Sequence, residues 1–286
     1  MLCNLKEILT LANAKNIAIG AFNTPNFESL RAVLGAAEEL ALPVILMHAQ
    51  IHEAFMPLRD IGPVMTAMAE KAAVPVCVHL DHGEDLGYLK KALDLGFTSI
   101  MYDGSALSYE ENAENTRKAV EMAKSYGAGT EGEIGTLGAR EMGKGHEEET
   151  AVPTEVYTDP VTAERFVKET GIDALACSFG TAHGLYLKEP KLDFTVLEKI
   201  RGRTEIPLVM HGGSGVSPED YKAAIRKGVR KINYFTYMSK AGGEEAVRQI
   251  QAAGDSVVYF HELEGRVTEA MKANVRTAMG IFAGLT

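Results

Sequence analysis

The chain has 286 residues and a mass of 30.9 kDa, with 46% hydrophobic and 24% charged residues, the composition of a globular protein with ample material for a core. Its net charge of -10 argues against nucleic acid or an anionic membrane surface as the main partner. A phosphorylated small molecule remains compatible with that charge, because backbone amides and helix amino-termini bind phosphate locally whatever the overall sign. No apolar run approaches the roughly 20 residues needed to cross a bilayer. The opening Met1-Leu2-Cys3-Asn4-Leu5-Lys6-Glu7 lacks the charged-then-apolar pattern of a signal, so a cytoplasmic location is expected. Cys3, Cys77 and Cys177 are far apart, and the last two sit in apolar runs, which points to buried thiols rather than a disulfide or a cysteine metal site.

Short apolar runs rich in Val, Ile and Ala recur along the chain, each followed by a polar loop and a stretch with helical spacing. Eight strands are predicted: Ile17–Phe22, Val44–Met47, Val76–Leu80, Ser99–Tyr102, Gly129–Glu133, Ala174–Ser178, Leu208–His211 and Lys231–Tyr234. Between them, Leu30–Leu40 keeps its apolar residues on one stripe and Tyr109–Tyr126 ends at Gly127, a helix-capping glycine. Ser217-Pro218-Glu219-Asp220 carries a serine cap, a proline at the first helical position and acids in the first turn. Eight βα units with no break in composition predict an α/β fold, a (β/α)8 TIM barrel, as one domain over residues 1–286. An open doubly wound sheet is the competing architecture, but the turn after the first strand, Asn23-Thr24-Pro25-Asn26, lacks the Gly-x-Gly such sheets usually carry. The Gly-rich stretch from Gly135 to the acids Glu147, Glu148 and Glu149 is too long for a simple connection and predicts a mobile lid over about 135–156.

In such a barrel the chemistry belongs at the carboxyl ends of the strands. Three histidines fall there: His82 in His79-Leu80-Asp81-His82-Gly83, His183 in Gly180-Thr181-Ala182-His183-Gly184, and His211 in His211-Gly212-Gly213-Ser214-Gly215. A lone histidine in an apolar strand is more often a satisfied core residue, but three converging imidazoles are the usual ligand set of a catalytic zinc. His79 is read as a support for the site, Gly83 as the point where the chain turns away from the mouth, and His48, His52, His146 and His261 are given no metal role. Asp81, Asp103 and Glu133 also end strands, where a carboxylate is either solvated or, beside a dication, a general acid/base or a further ligand. The glycines after the seventh strand and Asn233-Tyr234-Phe235-Thr236 after the eighth occupy the loops that bind phosphate in many barrels.

These motifs, in this order and over most of the chain, resemble the class II, zinc-dependent ketose-bisphosphate aldolases. Also carrying the likeness are Gly20-Ala21-Phe22-Asn23, Gly96–Ser105, Tyr157-Thr158-Asp159-Pro160, Pro190-Lys191-Leu192-Asp193-Phe194 and Lys231-Ile232-Asn233. The resemblance implies Zn2+ held by His82, His183 and His211, with Asp103 and Glu133 as carboxylates that take a displaced zinc. It implies dihydroxyacetone phosphate held by Asn23, Gly184, Gly212, Gly213, Ser214, Asn233 and Thr236, with a monovalent cation, Na+ or K+, nearby. Asp81 matches the acid/base on the C4 hydroxyl and Glu141 the mobile glutamate that moves the proton on the triose carbon. The implied reaction is reversible cleavage of a ketose 1-phosphate or 1,6-bisphosphate to dihydroxyacetone phosphate and an aldehyde through a metal-stabilised enediolate, by a homodimer or homotetramer. Alternatives are another zinc barrel enzyme, a hydrolase, and a non-catalytic sugar-phosphate-binding paralogue or accessory subunit of an aldolase.

The chain departs from the family pattern at four places. Gly138-Ala139-Arg140 replaces the Gly-Gly before the acidic lid residues, Phe235 stands where a polar residue is frequent, and Ala49, between His48 and Gln50, replaces a small polar residue. Tyr259-Phe260-His261 stands where an Asp-Pro-Arg element binds the distal phosphate across a subunit boundary, so the triose phosphate half of the substrate is better specified than the aldehyde half.

Overall fold

Period-two alternation along each apolar run sends one set of side chains inward and the other toward a layer of helices, and all eight predicted strands are present in the computed structural model, which describes residues 1–135, 157–186 and 190–285. They are β1 (Ile19–Asn23), β2 (Val44–Ala49), β3 (Val76–Gly83), β4 (Ser99–Tyr102), β5 (Gly129–Ile134), β6 (Ala174–Cys177), β7 (Leu208–Met210) and β8 (Val229–Tyr234). Every neighbouring pair is parallel, and β8 returns to β1 to close the barrel. The (β/α)8 TIM barrel expected from the sequence is therefore the fold. Among the described residues no helix is long and apolar enough to cross a membrane.

The helices are α1 (Leu5–Lys15), α2 (Phe27–Leu40), α3 (Leu58–Lys71), α4 (Leu86–Asp94), α5 (Tyr109–Ser125), α6 (Pro160–Thr170), α7 (Phe194–Arg201), α8 (Pro218–Arg226), α9 (Thr236–Ala253) and α10 (Phe260–Phe282). Several boundaries differ from the sequence expectation for local reasons. The first strand starts at Ile19 because the Ile17 amide still closes the end of α1 on the Ala12 carbonyl. Helix α2 starts three residues early because Asn26 caps it, its side-chain oxygen accepting from the Ser29 amide at 2.9 Å. The expected Ser217 cap of α8 forms, with Pro218 at the first position, and Gly127 adopts φ +69° after α5.

The interior is divided along the barrel axis. At the amino end, α1 inserts Leu5, Ile8, Leu9 and Ala12 among the inward residues Ile19, Ala21, Ile45, Met47, Cys77, Ala174, Ala176 and Val209, forming an apolar plug. Outside the strands, Phe22, Leu46, Val78, Leu80, Ile100, Leu175, Met210 and Ile232 pack under the helices in a second, larger core. Polar inward residues begin one layer above the plug, at His79 on β3, Glu131 on β5 and Lys231 on β8, all fully buried. The predicted lid lies outside the described residues apart from Gly135, and Glu141 and His146 lie outside them as well.

Candidate active site

In a regular strand Asp81 and His82 would point to opposite faces. Here Leu80 pairs with Ile100 and Gly83 with Tyr102, so β3 holds one residue more than β4 over this interval, a bulge. His82 absorbs it with φ +46°, the left-handed region that costs a non-glycine residue about 1–3 kcal/mol. As a result Asp81 and His82 both line the same cavity. The turn thus belongs to His82, whereas Gly83, expected to make it, is required for space. A Cβ at Gly83 would run into Leu89 and come within 3.0 Å of the Met101 carbonyl oxygen.

The three predicted histidines converge. Ring centroids lie 4.7 Å apart for His82 and His211, 5.1 Å for His82 and His183, and 5.8 Å for His183 and His211. Each offers a ring nitrogen within 4.8 Å of the others. Nδ1 of His82 meets Asp103 Oδ2 at 2.8 Å, and Nε2 of His211 meets Glu131 Oε1 at 2.7 Å. A carboxylate partner fixes each imidazole with its proton on the outer nitrogen, so the inner nitrogens, His82 Nε2 and His211 Nδ1, present lone pairs to one another at 3.0 Å. That arrangement calls for a cation between them. Without one, burial works against a charge on His82, yet Asp81, Asp103 and Glu133 pull its pKa up to about 10.

The surrounding charge also fits a dication. Asp81, Asp103, Glu131 and Glu133 are all buried, and among the described residues the buried lysine beside them is Lys231. Burial and the neighbouring Asp103 push the Glu133 carboxyl well above its ordinary range, and its Oε2 has no hydrogen-bond partner among the described residues. His82, Asp103 and Glu133 form a second set with metal-ligand spacing. The donor set, three imidazoles with adjacent carboxylates, matches an open zinc site.

Asp81 sits 2% exposed between two amides, with Asn23 Nδ2 donating to one oxygen and Asn233 Nδ2 to the other, each at 3.1 Å. Burial alone would raise its pKa, but the positive charge at His82 and Lys231 holds it well below the usual carboxylate range. Lys231 Nζ donates to Asn233 Oδ1 at 2.6 Å and pairs with Glu131 Oε2 at 2.9 Å. Glu131 and Lys231 were not singled out in the sequence as site residues. Period two would have found them, since each lies two residues before a predicted site residue on its own strand, Glu133 and Asn233. His79, read from the sequence as a support, meets Ser99 Oγ through Nδ1 at 2.6 Å, and its Nε2 lies 3.8 Å from Glu131 Oε2.

Comparison with known proteins agrees with this geometry. Residues 3–284 match the family model for class II fructose-bisphosphate aldolases. The chain belongs to that family. It is 39% identical to fructose-bisphosphate aldolase of Geobacillus stearothermophilus over 284 residues, 98% of this chain and 96% of the relative. It is 38% identical to the sulfofructosephosphate aldolase of Alkalicoccus urumqiensis over 277 residues, 97% and 95% of the two chains. The crystal structure of the YdjI aldolase of Escherichia coli K12 superposes with a TM-score of 0.86 at 35% identity, covering 99% of this chain and 97% of that one. The chain is thus an aldolase, a lyase of carbon–carbon bonds.

In this aldolase a cavity of about 300 Å³ opens above the histidines. Of the residues expected to hold substrate, Asn23, Gly212, Gly213, Ser214 and Asn233 line it, whereas Gly184 and Thr236 do not: Gly184 follows His183 at φ +100°, and Thr236 is the first residue of α9. The glycine loop is pinned from behind. The Tyr186 hydroxyl donates to the Gly212 carbonyl at 2.8 Å and accepts from the Ala182 amide, and the Tyr221 hydroxyl donates to the Gly213 carbonyl. Gly212 has φ +60°, and a Cβ on it would meet the Ala182 carbonyl, so only glycine fits. The cavity also takes in Gln50, Ile51 and His52 after β2, Glu84 after β3, and Phe235 after β8. Tyr259 and Phe260, at the start of α10, are 56% and 72% exposed.

Proposed function

We propose that this aldolase uses zinc held by His82, His183 and His211 to cleave a ketose 1-phosphate or ketose 1,6-bisphosphate reversibly into dihydroxyacetone phosphate and an aldehyde. The observation that carries the reading is an ionised Asp81, gripped by Asn23 and Asn233, in the same cavity wall as His82. Relatives named for fructose bisphosphate and for sulfofructosephosphate point to a phosphorylated ketose as the common substrate.

Zinc bound there would supply a Lewis acid that lowers the cost of the negative charge on the triose oxygens by several kcal/mol. Asp81 takes the proton from the C4 hydroxyl as the C3–C4 bond breaks, and the two asparagine amides keep its carboxylate ionised and aimed. Gly212, Gly213, Ser214 and Asn233, with Gly184 next to His183 and Thr236 three residues after Asn233, hold the triose phosphate against the barrel mouth. Glu141 is assigned the proton transfer at C3 on the sequence resemblance. Asp103 and Glu133 give the metal an alternative seat with His82.

The test is release of dihydroxyacetone phosphate from a panel of mono- and bisphosphorylated ketoses, together with metal analysis and thermal unfolding before and after chelation. EDTA should abolish turnover and lower the unfolding midpoint, and added zinc should restore both. Asp81→Ala should keep zinc and lose turnover, whereas His211→Ala should lose zinc. Hydrolysis of a substrate without dihydroxyacetone phosphate release, or tight ligand binding with no turnover, would overturn the reading.

A further inference from the structure

We infer that Lys231 is a positioning residue for the aldol step: by taking the oxygen of the Asn233 amide it leaves that amide's N–H to grip Asp81, and so aims the base at the C4 hydroxyl. The inference rests on the aldol reading above.

Lys231 is fully buried and is not among the described residues that line the cavity, so it acts on a substrate only through a neighbour. It lies two residues before Asn233 on β8, and period two turns both side chains into the barrel. Its Nζ donates to Asn233 Oδ1 at 2.6 Å, and Asn233 Nδ2 donates to Asp81 Oδ1 at 3.1 Å. An ammonium only donates and a carboxylate only accepts, so a primary amide fits between them one way round. Turned over, it would set its NH2 against the ammonium and its carbonyl oxygen against the carboxylate, replacing two attractive contacts by two repulsive ones. The second amide on Asp81 has no such guide. Asn23 donates from Nδ2 at 3.1 Å, but its Oδ1 has no hydrogen-bond partner among the described residues. Asn233 is thus the arm whose far end is fixed.

The ammonium is itself held in place. Glu131 Oε2 pairs with Lys231 Nζ at 2.9 Å, while Glu131 Oε1 accepts from His211 Nε2 at 2.7 Å. A continuous run of contacts therefore crosses the barrel interior from His211 to Asp81, with Lys231 in its middle. In a low-dielectric interior such a run of charged contacts holds one geometry. A misplacement of about 1 Å at a reacting group can cost on the order of 100-fold in rate. Asp81 serves the C4 hydroxyl, so its displacement should fall on carbon–carbon cleavage. Proton exchange on dihydroxyacetone phosphate, which has no C4, should be spared.

The experiment compares two rates at saturating zinc and substrate: cleavage of the ketose phosphate that the wild type turns over fastest, and exchange of solvent deuterium into dihydroxyacetone phosphate. In Lys231→Met the cleavage-to-exchange ratio should fall tenfold or more, through kcat rather than KM. Lys231→Met/Glu131→Gln, which leaves no unpaired carboxylate beside the methionine, covers the case in which the single variant does not fold and should keep the low ratio. A smaller fall, or recovery of the ratio in the double variant, overturns the inference. Asn233→Ala removes the amide that relays the effect, so adding Lys231→Met to it should lower the ratio no more than a further twofold. Additive losses would mean that the ammonium acts without Asn233, which also overturns it. A last readout needs neither metal nor turnover. In the metal-free protein the Asn233 side-chain NH2 signal, identified by its loss in Asn233→Ala, should exchange with solvent at least tenfold faster in Lys231→Met/Glu131→Gln than in Glu131→Gln, and equal exchange counts against the inference. Absence of deuterium exchange in the wild type defeats the aldol reading itself, whereas exchange with an unchanged ratio in the variants defeats this inference alone.

Discussion

Lys231→Met removes a buried cation from among four carboxylates, and its consequences follow along two contacts. Glu131, whose pKa is raised by burial but brought down to about 2 by the Lys231 charge and the His211 hydrogen bond, loses its main counter-charge. Breaking a buried pair by deleting one partner costs about 3–5 kcal/mol, because the other charge stays buried. Glu131 then relieves itself by taking up a proton, and a protonated carboxyl is a poorer acceptor for the His211 Nε2 proton, 2.7 Å away. Loss of such a partner lowers metal affinity about 10–100-fold. The second substitution Glu131→Gln removes the orphaned charge while keeping an oxygen for His211. The double variant should therefore be more stable than Lys231→Met alone. Chemical denaturation of the wild type, both single variants and the double variant, with zinc affinity measured by competition with a chelator, closes the cycle. If the loss in the double variant equals the sum of the singles, the Lys231–Glu131 pair is not what holds this part of the barrel.

Gly83→Ala should cost about 1–3 kcal/mol through overpacking against Leu89 and the Met101 carbonyl, and should weaken zinc binding by shifting His82. Adding Leu89→Ala should recover part of that loss, measured as non-additivity in denaturation. His52 is also a pH probe of stability. Its folded pKa, about 4, is below the ordinary value of 6.5, so the unfolded chain binds more protons in this range and stability falls as pH drops. Acidification from pH 7.5 to 5 should cost the wild type about 2 kcal/mol more than His52→Phe, read from the two denaturation curves.

Period-two runs and helix caps made the barrel legible, because each βα unit repeats the same local instructions. The site was legible where glycines mark it, at His183 and His211, and where carboxylates end strands. Lys231 was hidden because a lysine in an apolar strand reads locally as a surface residue; period two puts it on the face of Asn233, but only the closed barrel brings it to Glu131. His52 was passed over because it falls beyond β2 on a short turn, where no periodicity assigns it a face. The strand limits at His82 were misjudged for a related reason: a bulge is a property of two strands, and one strand's residues do not announce it.

That bulge changes what kind of information specifies the candidate metal site. His82 reaches the cavity because β3 carries one residue more than β4 between two fixed pairings, Leu80 with Ile100 and Gly83 with Tyr102. The place of His82 in the cavity wall is therefore encoded by chain length as much as by residue identity. Removing any one residue between those pairings would restore an unbroken ladder, and either Asp81 or His82 would be lost or turned toward α4, however well the remaining letters were preserved. In this segment a silent-looking gap is more damaging than most replacements, and a scan of substitutions alone would never reveal it.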